Sequence, residues 1–228
     1  MSRYDIYGRV HKAVRACLFD ATQALGRADP ADDCEVRGAL ARLEEMLAFC
    51  ELHLEHENEF VHRAMEARRP GSAGRCIEDH VHHEASIDAL REAAGEVGAA
   101  AGNARGAALH ALYRKVAVFA SENLEHMERE EAENNAVLQS AYSDAEIAAI
   151  ERELVASLPP GGSMQTLRWF LPAMCHPERV AMLAGMAGAP AQAREAAWGI
   201  ARSRLAREDL AKLEAALAQR EAVATLTS

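Results

Sequence analysis

Aromatic residues are scarce in this chain: five Phe, four Tyr and two Trp among 228 residues. The Val- and Tyr-rich alternation of a pleated sheet is therefore missing. Ala supplies much of the 50% hydrophobic content, and 26% of residues are charged, a balance that suits Ala- and Leu-packed helices. An excess of basic charge is absent as well. Against 35 Asp and Glu stand only 25 Lys and Arg, and the formal charge of −10 repels phosphate backbones and anionic lipid. Nucleic acid is thus not an expected partner.

No apolar run approaches the roughly 20 residues needed to span a bilayer, so no membrane association is expected. The first residues carry Asp5, His11 and Arg15 where a signal peptide needs an apolar segment, which points to a cytoplasmic protein. Five cysteines (Cys17, Cys34, Cys50, Cys76, Cys175) are odd in number and contain no CxxC pair. They read as reduced, buried thiols, not as a disulfide framework or a zinc knuckle.

What the chain does have is helical periodicity. Tyr7, Val10, Val14, Leu18 and Leu25 mark one face of a first helix. A second opens at Asp32 or Asp33 as N-cap and carries Leu43, Met46, Leu47, Cys50, Leu54, Phe60, Val61 and Ala64 until Arg68-Arg69-Pro70-Gly71. A third, from near Ser72, shows Ile77, Ile87, Leu90, Ala94 and Val97, then fades into a Gly/Ala-rich connector at 95–106. The fourth bears Leu109, Leu112, Val116, Phe119, Asn123 and Val137 and runs to about Ser140. Four such helices joined by short loops predict an all-α, up-down-up-down four-helix bundle over residues 1–140. The Ser143-Asp-Ala-Glu146 capping box opens a second, helical unit over 143–228. Within it Pro159-Pro160-Gly161-Gly162 reads as a hinge, and Pro177 and Pro190 as first-turn prolines. The unit reads as a lid or docking domain, a candidate surface for a protein partner or self-association. Core packing is the competing reading for its Trp169, Phe170, Met174, Met182 and Met186.

The chemistry lies in the ten histidines. His-x-x-x-Glu sets an imidazole and a carboxylate about 40° apart and one turn along a helix, close enough to share a metal ion. Four such pairs occur: His53/Glu57, His62/Glu66, His80/Glu84 and His126/Glu130. At ~100° per residue, His53 and Glu57 fall on the apolar stripe of the second helix, and His126 and Glu130 on that of the fourth. His62 falls at about 180° from His53, so His62/Glu66 reads as an ordinary surface pair. On the third helix His83 is central to the stripe and His80 at its edge; either or both are candidate ligands, with Glu84 behind them. His11 is the sole histidine of the first helix. The metal candidates are therefore His11, His53, Glu57, His80, His83, His126 and Glu130. Burying this many ionisable groups requires a compensating cation. Imidazole with carboxylate and no thiolate suits iron or manganese better than zinc, and so many ligands suit a pair of ions bridged by carboxylates. The ferritin-like Glu-x-x-His spacing occurs only at Glu59/His62, on the outer face.

Residues 1–140 resemble the hemerythrin-like, HHE cation-binding family: His on helix one, His-x-x-x-Glu on helix two, one or two His on helix three, and His-x-x-x-Glu on helix four. The resemblance implies a non-haem di-iron centre, with His11, His53, His80 or His83, and His126 as terminal ligands and Glu57 and Glu130 as bridges. It also implies a small ligand: dioxygen, peroxide or nitric oxide. Oxygen-carrying members have His-x-x-x-His on helix three and His-x-x-x-x-Asp on helix four, where this chain has His80-Val-His-His83-Glu84 and His126-Met-Glu-Arg-Glu130. That departure argues against stable oxygen carriage. It turns the comparison toward members linked to iron or oxygen sensing, peroxide or nitric-oxide responses, or iron–sulfur cluster repair. The chain lacks the Cys-rich N-terminal domain of the repair type. Two function classes follow: a protein whose di-iron centre binds or reacts with the ligand, and a regulatory module in which metal occupancy is read out without turnover.

Overall fold

The structure is a computed structural model that describes residues 3–158 and 162–226, with side chains left undescribed at 162–165 and 221–226. Its described regular elements are all helical, in two compact units divided between Ser157 and Leu158.

In the first unit, α1 (Gly8–Arg27) buries His11, Val14, Cys17, Leu18 and Leu25 on one face. Asp5 Oδ1 accepts from the amides of Tyr7 and Gly8 at 3.0 Å each and satisfies donors that a helix start leaves open. Helix α2 (Asp33–His56) is capped as expected by Asp32, whose Oδ1 accepts from Cys34 N at 2.7 Å and Glu35 N at 3.2 Å. It continues through a π-helical turn, Glu57–His62, into α3 (Arg63–Arg68). Helix α4 (Gly74–Ala99) runs through the expected Gly/Ala connector, leaving only 100–101 before α5 (Gly102–Arg129). A second π turn, Glu130–Asn134, leads into α6 (Asn135–Ala141). Helix α1 packs on α2, α2 on α4, α4 on α5 and α5 back on α1, closing a ring around one core. That core holds Leu18, Leu43, Met46, Leu47, Ile87, Leu112, Val116 and Phe119.

The π turns are the main departure from regular 3.6-residue periodicity. In a π turn hydrogen bonds run from i to i+5, so residues five apart share a face. After the first turn the buried position is Met65, fully enclosed, with Ala64 only partly covered. Past the second it is Leu138, also fully enclosed, with Val137 only partly covered. Each turn thus slips the apolar stripe by one residue.

Helix α7 (Asp144–Ser157) belongs to the first unit, so the compact division falls later than the expected boundary near residue 143. Its capping box is formed: Ser143 N donates to Glu146 Oε2 at 2.7 Å and Glu146 N to Ser143 Oγ at 3.4 Å. Ile147 is buried among Ile6, Tyr7, Val61, Met65, Ala73 and Leu138, with Ile150 and Leu154 packed beside it. Arg68 ties the helix down, donating to Glu146 at 2.6 Å and lying 3.7 Å over the Tyr142 ring. Burial of this apolar stripe, at roughly 25 cal/mol per Å², holds α7 in place more than its exposed ion pairs do.

The second unit contains α8 (Gly162–Ala173), α9 (His176–Gly185), α10 (Ala191–Arg204) and α11 (Arg207–Leu226). The hinge read at 159–161 lies outside the described residues. Leu167, Leu171, Val180, Leu183, Ala197, Ala201 and Leu213 form this unit's core, and Met182 and Met186 pack against it. Trp169 and Met174 are buried too, so these side chains mainly serve packing. Arg179 caps the end of α8, donating to Leu171 O at 2.8 Å and Pro172 O at 3.1 Å. Pro177 stands in the first turn of α9, whereas Pro190 is the N-cap of α10. The described residues hold no helix long and apolar enough to cross a membrane.

Candidate metal centre

The inward faces of α1, α2, α4 and α5 bring His11, His53, Glu57, His80, His126 and Glu130 together in the core of the first unit, and all six are buried. Among the described residues four groups of donor atoms lie close enough to surround an ion, two of them through Cys76 (with His62 and Glu130, and with Asp79 and His126); the two built of His and Glu alone are His11, His53, Glu57 and Glu130, and Glu57, His80, His126 and Glu130. Both carboxylates are common to the two groups. Glu57 divides its oxygens between them, with Oε1 3.5 Å from His11 Nε2 and 3.4 Å from His53 Nε2, and Oε2 3.5 Å from His80 Nε2. Glu130 Oε2 lies 3.4 Å from His11 Nε2 and 3.3 Å from His126 Nε2.

These separations are telling. Donor atoms that each sit ~2.1 Å from an ion, with ~90–110° between them, lie about 3.0–3.4 Å apart. His11 Nε2, His53 Nε2 and all four oxygens of Glu57 and Glu130 are buried and make no hydrogen bond. Six unsatisfied polar atoms in one cavity would cost several kcal/mol if nothing filled it.

His62 was expected on the outer face; instead it is buried, 2% exposed, with Nε2 3.6 Å from Glu130 Oε1 and its ring centroid 4.8 Å from that of His80. The π turn is the cause, since it places His62 five residues after Glu57 on the same face. A surface His62/Glu66 pair is accordingly not formed. Glu66 instead accepts from the amides of Gly71 and Ala73 at 2.6 and 2.8 Å and closes the turn into α4. Glu59 stays exposed, so Glu59 and His62 still do not share a face. The signal for His62 was present in the sequence as the one-residue slip of the stripe to Met65.

His83 is buried next to the cluster, its ring 5.0 Å from His126 and 5.9 Å from Phe119, but it belongs to neither donor group. Glu84 is exposed and is not behind the ligands. The residues that do stand behind them are others. Glu131 Oε1 is 2.9 Å from His11 Nδ1 and accepts from Arg15 at 2.6 Å. Asp79 Oδ2 is 3.2 Å from His126 Nδ1 and pairs with Arg129. Such outer carboxylates hold the ring so that Nε2 faces the cavity.

The five cysteines form no disulfides; Cys17, Cys50 and Cys76 are buried, while Cys34 and Cys175 are exposed. Cys76 lies within reach of His62 and Glu130, although no spacing along its own helix ties it to either. Burial, then the charge of Glu130, pushes its thiol up to about 12 and keeps it protonated.

The buried carboxylates and imidazoles shift one another's protonation. Burial, then the neighbouring Glu130, pushes Glu57 up to about 8. Burial disfavours the His11 cation, yet Glu130, Glu131 and Glu57 outweigh it and hold His11 well above the usual imidazole range. Burial would raise Glu130 too, but His11 and His62 draw it well below the usual carboxylate range. His53 is pushed well below its ordinary value and His80 down to about 3, in both cases mainly by burial. Neutral imidazoles with bare ring nitrogens are the form that binds metal.

Neither the curated proteins nor the solved structures contain a match to this chain. Among protein families, residues 2–138 match the Hemerythrin HHE cation binding domain. With that match spanning more than half of the chain, and a buried cluster of histidines and glutamates suited to a cation, the protein belongs to the hemerythrin HHE cation-binding family.

Proposed function

We propose that this chain is a non-haem di-iron protein whose centre binds or reacts with a small ligand such as dioxygen, peroxide or nitric oxide. The observation that carries the reading is the pair of donor groups sharing Glu57 and Glu130, with the two Glu57 oxygens facing different groups. In this reading His11 and His53 hold one ion, and His80 and His126 the other, with His62 beside it. Glu57 and Glu130 would be shared by both ions. His80 is preferred over His83 because only His80 lies among the clustered donors. The imidazole and carboxylate donors of the two groups that share Glu57 and Glu130 favour iron or manganese over zinc.

Iron held by these residues would supply a Lewis acid and an exchangeable electron for a small ligand. The protein's own residues do the rest. The histidines fix geometry from four sides, Glu131 and Asp79 orient two of them, and Ile147, Met65 and Leu138 help close the end of the unit near the π turns against water. Tyr7 is buried with its ring 5.1 Å from His11, and its hydroxyl accepts from Asn134 Nδ2 at 3.2 Å. Burial, then Glu130 and Glu57, holds the Tyr7 phenol well above its ordinary value, so it remains a protonated hydroxyl near the centre.

The same reading takes the first unit as an up-down-up-down bundle. The ring of helix contacts supports it, as do the short connections at 28–32, 69–73 and 100–101, which bring successive helices back alongside one another. Residues 158–228 would then be an appended helical module, a candidate for contact with a protein partner or a second copy, and the protein would work in the cytoplasm.

Anaerobic titration of the metal-free full chain with ferrous iron tests the assignment. Saturation at about two ions per chain is expected, and the double substitution Glu57→Ala and Glu130→Ala should abolish both. Unchanged iron uptake in a folded double variant would refute the shared-carboxylate centre.

A further inference from the structure

His11 and His126 are each backed by a charged carboxylate, but His62 and His80 are not. Their outer partner is one neutral side chain. Asn58 Oδ1 lies 3.1 Å from His62 Nδ1 and 2.9 Å from His80 Nδ1, so a single amide oxygen faces two rings. Asn58 follows Glu57 in the first π turn, and the turn that carries His62 inward also brings its Nδ1 to this oxygen.

An amide oxygen accepts through two lone pairs and cannot donate, so both Nδ1 atoms facing it must carry hydrogen. A neutral imidazole protonated at Nδ1 has a bare Nε2. These bare nitrogens lie on the cavity side. His62 Nε2 is buried without a hydrogen bond, 3.6 Å from Glu130 Oε1, and His80 Nε2 is 3.5 Å from Glu57 Oε2. His80 Nε2 also lies 2.9 Å from His126 Nε2, and with hydrogen on His80 Nδ1 this contact is one in which His126 Nε2 donates and His80 Nε2 accepts. The opposite amide orientation would donate to both Nδ1 atoms, drive the protons to Nε2, and leave neither ring a lone pair toward Glu57 and Glu130.

We infer that Asn58 is a positioning residue that sets the tautomers of His62 and His80 together, presenting both Nε2 lone pairs to the cavity shared with Glu57 and Glu130. The role assigned to those lone pairs rests on the di-iron reading; the tautomers themselves are a property of the metal-free chain. Because Asn58 brings no charge, the rings it holds are weaker donors than the carboxylate-backed His11.

The test is nitrogen-15 NMR of histidine-labelled, metal-free full chain, with Asn58→Leu and Asn58→Asp beside it. In the wild type, protonated Nδ1 and bare Nε2 are expected for both rings. Asn58→Leu should lose that preference and bind the ferrous ion at His80 and His126 about 10- to 100-fold more weakly, with the ion at His11 and His53 retained. Asn58→Asp, which keeps the acceptor, should restore both the tautomers and the ion at His80 and His126. A wild type with hydrogen on Nε2 of either ring overturns the proposal, whether or not Asn58→Leu folds. So does a folded Asn58→Leu with unchanged tautomers and iron binding. A wild type that binds no iron but shows the expected tautomers refutes the di-iron reading and leaves the role of Asn58 standing.

Discussion

Replacing Glu57 by Gln should strengthen the metal-free protein while destroying its centre. Gln has the shape of a protonated Glu, and in the metal-free cavity burial and Glu130 raise Glu57 from an ordinary 4.5 to about 8. At pH 7 the unfolded chain ionises this carboxyl freely, whereas the folded chain holds it mostly protonated. At about 1.4 kcal/mol per pKa unit, that difference costs the folded state on the order of 3 kcal/mol. The sign follows from linkage: with the folded value raised, the unfolded state binds fewer protons between pH 4.5 and about 8, so this group's contribution to stability falls as pH rises through that window. Glu57→Gln removes the loss. For a unit of this size ~3 kcal/mol is roughly 6–12 °C in melting temperature. Calorimetric melts of both metal-free chains should show the variant more stable at pH 7–8 and the difference vanishing below about pH 4.5. Iron uptake by the variant should be lost or severely weakened, because an amide is a poor bridge. Equal or lower stability at pH 7–8, or undiminished iron binding, would refute the reasoning.

Ferrous iron at 100 times its dissociation constant should stabilise the wild type by about 2.7 kcal/mol per ion, visible as a higher melting temperature that Glu57→Gln does not show. His62→Ala should weaken iron binding at least tenfold while His82→Ala, at an exposed position on α4, leaves it unchanged; equal effects would contradict the inward placement of His62. The docking of α7 should depend on pH far below neutrality. Its Glu146 is held down to about 2 by Arg68, then by the Ser143 amide, so its contribution is fully present above about pH 4.5 and disappears as pH falls toward 2. Hydrogen exchange of α7 amides should accelerate across that window in the wild type and show a smaller change in Arg68→Ala.

Much of this architecture is legible from residue spacing because ordinary α-helical phase governs most of it. Asp32 caps α2, Ser143 and Glu146 box α7, and the stripes of α1 and α5 face inward as counted. His53/Glu57 and His126/Glu130 meet because each pair lies within a regular turn. The count fails after Glu57 and Glu130, where π turns begin at the shared carboxylates themselves. A fixed 100° step then assigns His62 to solvent. The corrective evidence was the larger apolar residue one place late, Met65 for Ala64 and Leu138 for Val137. The residues behind the buried histidines were illegible for another reason: Glu131, Asp79 and Asn58 reach rings on other helices, and periodicity along one helix carries no information about its neighbour's register. The compact division falls later than residue 143 because a capping box marks where a helix starts, not which core its apolar face joins. Ile147, Ile150 and Leu154, at spacings of three and four, were the residues that joined α7 to the first unit.

The most direct test of the account is anomalous diffraction at the iron edge from crystals of the ferrous-loaded full chain. It predicts two peaks about 3.5–4 Å apart, one beside His11 and His53, the other beside His80 and His126, with Glu57 and Glu130 between them. One peak, or none among these residues, would contradict it.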